Sequence, residues 1–294
     1  MAGPTAVGKT GLAIKLARHY NTLIISADSR QFYKELNIGT AKPTQEQLQQ
    51  APHLFVSTKS VTELYGAGHF EKEVIATLDE KFKHHKIIFM VGGSGLYIDA
   101  VLNGVDDFIE VPEKIREQLN LEFSKKGVAW LQAEIKKHDP VYFESVDAQN
   151  PQRMIRALEV FQHTGFPYSS FLSRKKTSRD FVPVKIMINT SREKLYGQIN
   201  DRVDEMIRQG LLDEVKNLLA FKNFNALKTV GYKELYDYIE GKISFETAID
   251  KIKQHTRNYA KRQITWFKNK DLFKEFEPTE PDNIISYINE IVSD

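Results

Sequence analysis

The stretch that decides the fold is Gly3-Pro4-Thr5-Ala6-Val7-Gly8-Lys9-Thr10, close to the first residue of the chain. It matches G-x-x-x-x-G-K-S/T in full, the pattern of a glycine-rich phosphate-binding loop. Glycines let such a loop curl so that backbone N–H groups point at phosphate oxygens, and the lysine adds a positive charge. The pattern predicts that residues 3–10 bind a diphosphate, with the hydroxyl of Thr10 as a ligand of Mg²⁺.

The segments that follow predict an α/β fold with a mostly parallel sheet. Residues 10–19 have helical spacing, and three short apolar runs, at 23–27, 86–91 and 184–188, are typical of buried parallel strands. Helical stretches separate these strands, and beyond the third strand the pattern is helical to the end. Only Met1 and Ala2 precede the loop. The sequence therefore predicts a sheet that lacks the central strand that normally leads into such a loop, either in the protein itself or only in this chain.

A helical insertion is predicted between the second and third strands. About ninety residues separate these strands, far more than one crossover connection needs. Within them, residues 113–138 and 151–161 have helical patterns. The predicted organisation is a core of residues 1–112 and 183–294 and a helical insertion domain of residues 113–182.

Composition excludes some classes of protein. The chain has no cysteine, which rules out disulfides and Cys-ligated zinc. It shows no leader peptide and no apolar run of the roughly 20 residues that span a bilayer. These features predict a cytoplasmic protein that is not bound to a membrane, and we expect a monomer.

The net charge of +2 hides local basic clusters. Residues 251–270 contain seven Lys or Arg and no Asp or Glu, and Lys253, Arg257 and Lys261 recur every four residues. A smaller cluster comprises residues 174–176 and Arg179. Such clusters suit a polyanionic partner, or they are merely solvated faces.

Two candidate groups follow the predicted strands. Asp28 comes where the first strand ends, the usual position of ligand contacts in an open α/β sheet. Its carboxylate suits a general base or a water-mediated magnesium contact, and a helix-capping or turn aspartate is the alternative. Residues 92–95, Gly-Gly-Ser-Gly, permit close backbone approach to a ligand that Ser94 can contact.

Two more candidates are helical. Gln152 and Arg156 share one helix face, with Arg153 beside them, and suit phosphates or base edges. Arg202 lies on the polar side of an amphipathic helix. A helical ion pair is the alternative for Arg202, and an ordinary charged surface is the alternative for the arginine pair.

Taken together, the segments resemble the bacterial tRNA dimethylallyltransferase (tRNA isopentenyltransferase) family. The matching pieces span almost the whole chain in family order. They are GPTAVGKT, SADSRQFYKELNIGTAKPT, VGGSGLYIDAVLNG, NPQRMIRALEV, NDRVDEMIRQGLLDEV, KTVGYKELYDYIEG and TRNYAKRQITWF. The chain has none of the C-terminal Cys/His finger that some eukaryotic relatives add.

The resemblance implies a P-loop core whose helical insertion closes over a tRNA anticodon stem-loop. It implies transfer of a dimethylallyl group from dimethylallyl diphosphate to the exocyclic amine of the adenosine at tRNA position 37, after that base is flipped out of its stack. Lys9, Thr10 with Mg²⁺, the loop amides and Arg202 are then expected to hold the departing diphosphate, and Asp28 is expected to accept the amine proton.

The resemblance also implies a set of tRNA-binding residues. Besides Asp28, they are Ser29, Arg30, Gln31, Ser94, Arg116, Gln152, Arg153, Met154, Ile155, Arg156, Lys228, Thr229, Val230, Gly231, Tyr232 and Lys233.

Two other functions share some of these features. A P-loop nucleotide or small-molecule kinase has the same loop, an aspartate at the end of the strand that follows the loop, and a mobile helical insertion. A non-catalytic RNA-binding protein with a relic loop is the second alternative, although the intact Lys9, Thr10 and Asp28 argue against it.

Overall fold

The computed structural model describes residues 1–105, 109–172, 178–270 and 273–293. The chain forms two compact units. One comprises Met1–Leu102 with Arg179–Asp294, and the other is Asn103–Ser178. The sequence places the insertion at 113–182, whereas the compact unit begins about ten residues earlier and ends four residues earlier.

The described part of the first unit contains all five strands and most of the helices. The strands are β1 (Ile24–Ser26), β2 (His53–Leu54), β3 (Phe89–Val91), β4 (Ile186–Ile188) and β5 (Lys274–Phe276). The helices are α1 (Lys9–His19), α2 (Gln45–Gln50), α3 (Ala67–Lys81), α4 (Gly95–Asn103), α8 (Arg192–Arg208), α9 (Leu211–Asn217), α10 (Tyr232–Ile239), α11 (Phe245–Lys268) and α12 (Pro281–Ser293). The predicted α/β class is confirmed.

The strand pairs among the described residues are all parallel, in the orders β2-β1-β3 and β4-β5. Ala2 forms bridges to both Gly92 and Met187 and so joins the two sheets. Its N–H donates to the carbonyl of Ile186 at 2.7 Å, and its carbonyl accepts from the N–H of Ile188 at 2.8 Å. The described residues hold no strand before the loop, as the sequence predicts. The single residue Ala2 nevertheless occupies the central position and links Gly92, which follows β3, to Met187 of β4.

The prediction of helix to the end of the chain is also wrong. β5 pairs with β4, with Lys274 opposite Ile186 and Phe276 opposite Ile188. Two of its three residues are exposed, because the strand lies at the sheet edge. A Lys-Glu-Phe tripeptide carries no apolar run, so its sequence gives no sign of a strand.

The core of the first unit packs helices on both faces of the sheet. One cluster joins Leu16 of α1, Ile24 of β1, Ile188 of β4 and Ile199 of α8. On the other face Ile25 packs with Phe32, Phe70 and Phe267, the last from α11. This packing holds the loop 3–8 at the carboxyl ends of the strands, where parallel sheets bind ligands.

The second unit is helical. Its helices are α5 (Glu113–His138), α6 (Pro140–Ser145) and α7 (Pro151–Thr164). α5 is broken at Gly127, where φ is 74°. Leu119, Leu131 and Ile135 of α5 pack on Met154 and Leu158 of α7. Among all described helices, none combines the length and apolar character needed to cross a membrane.

Candidate active site

The phosphate loop has the backbone that its glycines predict. Gly8 adopts φ 93° as the N-cap of α1, a conformation that favours glycine. A Cβ on Gly3 would lie 2.3 Å from the carbonyl oxygen of Ile188, so a larger residue would push the loop off the sheet. The loop therefore presents the N-terminus of α1, which is a favourable place for an anion.

Lys9 points back across this loop. Its Nζ donates to the carbonyl oxygens of Gly3 at 2.9 Å and Pro4 at 2.6 Å. Desolvation lowers the pKa of Lys9 to about 7, an effect that the charge of Asp28 opposes and that of Arg202 reinforces. An added diphosphate would favour the protonated form of Lys9, since opposite charges stabilise one another.

Arg202, on α8, reaches the same loop. Its Nη1 donates to the hydroxyl of Thr5 at 3.4 Å. Burial lowers the pKa of Arg202, and Asp28 counteracts this. An arginine remains protonated even so, which makes Arg202 a fixed positive charge beside the loop. The helical ion pair considered from the sequence is not what this side chain makes in the structure.

Asp28 lies two residues beyond β1, and its carboxylate accepts hydrogen bonds from the turn that follows. Its Oδ1 accepts from the N–H groups of Arg30 at 2.9 Å and Gln31 at 3.4 Å. Its Oδ2 accepts no hydrogen bond from the part of the chain that the structure describes. Asp28 therefore does stabilise a turn, as the alternative interpretation had it, but only with Oδ1, and Oδ2 stays available.

Hydrogen bonds join the glycine-rich turn after β3 to the segment after β1 and to α11. The hydroxyl of Ser94 accepts from the N–H of Ser29 at 2.9 Å. The side chain of Gln263 accepts from the N–H of Thr5 at 2.8 Å and donates to the carbonyl of Gly93 at 2.8 Å. A Cβ on Gly93 would lie 2.1 Å from the Nε2 of Gln263, so the glycine is needed for this close approach.

Sequence reasoning missed Gln263 and Tyr259. Both lie on α11, and Gln263 is buried although exposed Lys261 and Arg262 precede it, a contrast that only the structure shows. Burial raises the pKa of Tyr259 to about 12, and the charge of Asp28 adds to this. Tyr259 therefore stays a neutral hydroxyl beside the carboxylate.

One cavity of about 170 Å³ brings Thr5 of the phosphate loop together with Asp28, Arg202 and Tyr259, whereas Lys9, Thr10 and Ser94 are not among its lining residues. Its polar lining includes Thr5, Asp28, Ser29, Arg30, Thr40, Arg202, Thr229, Thr256 and Tyr259. The rest of its wall comes from Gly39, Gly231 and five apolar side chains, Ile199, Val203, Met206, Val230 and Ile252. The cavity thus joins one residue of the phosphate loop, Thr5, to a carboxylate and an apolar surface.

A second cavity, which we call the basic groove, shares Thr229, Val230 and Tyr259 with the first. Its other lining residues are Lys228, Lys233, Glu234, Asp237, Lys251, His255, Asn258 and Arg262. Lys228, Lys233 and Arg262 are exposed, which leaves their charges accessible to a polyanion. Tyr232, another of the predicted contacts, is fully buried.

The predicted basic stripe of α11 is wrong in its register. Lys253 pairs with Asp204 at 2.6 Å, and Arg257 donates to Asn200 at 2.7 Å, so both face α8. Only Lys261 of the predicted stripe is exposed. The face that lines the groove carries Lys251, His255, Asn258 and Arg262 instead. Both sets have helical spacing, and packing against α8 decides which one is accessible.

The remaining predicted tRNA contacts lie in the second unit. Gln152 and Arg153 are exposed on α7, whereas Met154 and Ile155 are fully buried in its core. Arg116 pairs with the buried carboxylate of Glu159 at 2.8 Å, and Arg156 pairs with its other oxygen at 3.5 Å. These arginines therefore neutralise a buried charge inside the unit.

Arg179 of the smaller basic cluster donates to Glu71 at 2.5 Å and to backbone carbonyls of α4. The other members of that cluster, residues 174–176, lie outside the described residues.

Comparison with known proteins decides the family. The family model described as IPP transferase matches residues 31–270. The chain belongs to this family. A curated family member from Christiangramia forsetii, named tRNA dimethylallyltransferase, is 50% identical over 287 residues, covering 97% of this chain and 95% of its own length. The tRNA dimethylallyltransferase 1 of Bacteroides fragilis is 43% identical over 288 residues, covering 98% and 96%.

Solved structures in the family share the fold. The tRNA isopentenylpyrophosphate transferase of Bacillus halodurans is similar with a TM-score of 0.69 and 34% identity, over 99% of this chain and 94% of that one. A eukaryotic dimethylallyltransferase captured acting on tRNA gives a TM-score of 0.81 and 25% identity, over 99% and 78%. The P-loop core predicted from the sequence is therefore confirmed.

Proposed function

We propose that this chain transfers a dimethylallyl group from dimethylallyl diphosphate to the exocyclic amine of the adenosine at position 37 of tRNA. The observation that carries this proposal is the lining of the cavity of about 170 Å³ that contains Asp28, which we call the reaction cavity. It places Thr5 and Arg202 beside Asp28 and an apolar wall. A donor with a diphosphate head and a five-carbon hydrocarbon tail has both chemistries that this cavity offers.

The residues have distinct roles in the transfer. The amine nitrogen attacks the first carbon of the dimethylallyl group, the carbon–oxygen bond breaks, and its electron pair leaves with diphosphate. The loop amides, Lys9 and Arg202 stabilise the negative charge that develops on that leaving group. The carboxylate of Asp28 accepts the proton that the amine loses. The apolar wall excludes water, which protects the allylic carbon from hydrolysis.

The donor set also fits Mg²⁺. The hydroxyl of Thr10 makes no hydrogen bond to any described residue, and the carboxylate of Asp28, which accepts the amine proton, can contact the ion through water. Mg²⁺ in phosphate sites is typically held by one or two carboxylates together with phosphate oxygens and water. In the proposal Thr10 holds the ion, and bound Mg²⁺ supplies additional neutralisation of the diphosphate.

The basic groove supports an RNA acceptor over the small acceptor of a kinase. It adjoins the reaction cavity at Thr229, Val230 and Tyr259, so a polyanion in the groove can deliver a flipped base to the cavity. The names of the relatives agree with this acceptor. We also propose that the protein acts as a monomer in the cytoplasm.

The test is a transfer assay. The protein is incubated with Mg²⁺, dimethylallyl diphosphate and an anticodon stem-loop that carries unmodified adenosine at position 37. We expect the prenylated stem-loop, and none when that adenosine is replaced by guanosine. Absence of product from several suitable stem-loops, together with phosphate transfer from ATP to a small acceptor, would establish the kinase instead.

A further inference from the structure

Glu214 of α9 holds the backbone of a loop outside its own helix. Its Oε2 accepts from the N–H groups of Asn37 at 3.1 Å and Ile38 at 2.8 Å, and its Oε1 accepts from that of Gly39 at 3.1 Å. Three consecutive amides therefore converge on one carboxylate. Hydrogen bonds to an ionised acceptor are about twice as strong as neutral ones, so this contact fixes the loop firmly.

Tyr232 completes the contact from the other side. Its hydroxyl donates to Oε1 of Glu214 at 2.6 Å, and its ring is fully buried. A Cβ on Gly39 would lie 2.5 Å from the ring carbon Cε2, so the loop backbone rests directly on the ring. Burial raises the pKa of Tyr232, and Glu214 raises it further, which keeps the hydroxyl a donor.

The loop extends from Glu214 to the reaction cavity. Gly39 and Thr40 line that cavity. The carbonyls of Thr40 and Ala41 both accept from Nε2 of Gln31 at 3.2 Å, and Oε1 of Gln31 accepts from the hydroxyl of Ser26 at 3.2 Å. The amide of Gln31 is therefore oriented by the same loop that Glu214 holds. None of these bonds involves the phosphate loop.

We propose that Glu214 is a positioning residue for the acceptor side of the reaction cavity. By holding the amides of residues 37–39, it sets the wall at Gly39 and Thr40 and the orientation of Gln31, against which the acceptor base is placed. The inference rests on the proposed function. It separates the cavity into an acceptor side that depends on Glu214 and a diphosphate side that does not.

Two variants break the contact by different means. Glu214→Gln keeps the size of the side chain but replaces one accepting oxygen by an N–H₂ group that cannot accept. Gly39→Ala forces the loop and the ring of Tyr232 apart. Asp213→Asn is the matched control, because Asp213 is the exposed neighbour on α9 and pairs with Lys216 at 3.3 Å.

We expect the KM for the stem-loop to rise about tenfold or more in both variants, while the Kd of dimethylallyl diphosphate stays within about twofold of the parent value. Asp213→Asn should change neither constant. An unchanged KM for the stem-loop, or an equal loss of affinity for both substrates, would contradict the proposal. If Glu214→Gln does not fold, Gly39→Ala tests the same contact from the loop side, and a stem-loop KM that does not rise in that variant would be equally contrary.

Hydrogen exchange tests the same contact without relying on activity. The amides of residues 37–39 should exchange faster in Glu214→Gln than in the parent protein or in Asp213→Asn. Unaltered exchange would show that Glu214 does not hold the loop. If the parent protein makes no prenylated product, the proposed function fails, and this exchange result still decides the positioning role.

Discussion

The phosphate loop and the basic groove carry the same types of cation in different surroundings. Lys9 and Arg202 lie at the loop, and Lys251 and Arg262 lie in the groove. Desolvation lowers the pKa of both groups at the loop, whereas Arg262 is exposed in an open groove. Charges shielded from water act strongly over short distances and are hardly screened by salt, while exposed charges are screened. Burial thus makes Lys9 sensitive to pH and makes Arg202 a fixed charge. The groove cations, which are open to solvent, are sensitive to salt instead.

The largest effect should come from Arg202→Ala. It removes a fixed charge beside the leaving diphosphate, so we expect turnover to fall about 10²- to 10³-fold in the transfer assay. The salt dependence of stem-loop binding should not change. Arg208→Ala is the control, because Arg208 is an exposed residue of the same helix that pairs with Glu205. A shallower salt dependence of stem-loop binding in Arg202→Ala would remove the distinction between the loop cations and the groove cations.

The pH dependence of diphosphate binding is the next largest effect. The free protein has a Lys9 with a pKa of about 7, and a bound diphosphate raises that pKa, so binding takes up a proton above pH 7. The Kd of dimethylallyl diphosphate should therefore rise as pH increases above 7, by up to about tenfold per unit, and this group should add no dependence well below pH 7. Calorimetry between pH 7 and 8.5 measures it. Lys9→Arg, which stays charged, should lose this dependence, and a parent Kd that is flat over this range would contradict the assignment.

The groove cations should control the response to salt. For Lys251→Ala combined with Arg262→Ala, the slope of log K against log salt for stem-loop binding should become shallower by about 1.5, since each lost phosphate contact removes about 0.7 to 0.9. Binding titrations between 50 and 300 mM salt check this. The Kd of dimethylallyl diphosphate should be unaffected, and an unchanged slope would make the groove a solvated face.

The smallest effect on RNA binding belongs to the cations that face α8. Lys253→Ala and Arg257→Ala should leave the salt slope unchanged. Arg257→Ala should lower the free energy of unfolding by about 1 kcal/mol through its lost bond to Asn200. Lys253→Ala should lower it by less, because its partner Asp204 is 44% exposed. Denaturant titration measures both, and a shallower salt slope in either variant would restore the stripe predicted from the sequence.

The parts of the site that short sequence patterns define were predictable. The loop conformation follows from its glycines, and Asp28 was placed at the end of its strand by the apolar run before it. Features that depend on distant partners were not. The accessible face of α11 is set by Asp204 and Asn200 of another helix, and the role of Gln263 depends on two loops that meet only in the fold.

Sheet pairing shows the same limit. Ala2 and β5 are too short to show any periodicity, and both are recognisable only by their hydrogen bonds to β3 or β4.

The most direct test of the account is prenyl transfer by Asp28→Asn beside the parent protein. Asparagine keeps the oxygen that accepts from Arg30 and Gln31 but cannot take up the amine proton. We predict that the parent yields the prenylated stem-loop and that the variant is slower by about 10²- to 10⁴-fold, with stem-loop and donor affinities within about threefold. Near-parental turnover by Asp28→Asn would contradict the claim that this carboxylate receives the proton.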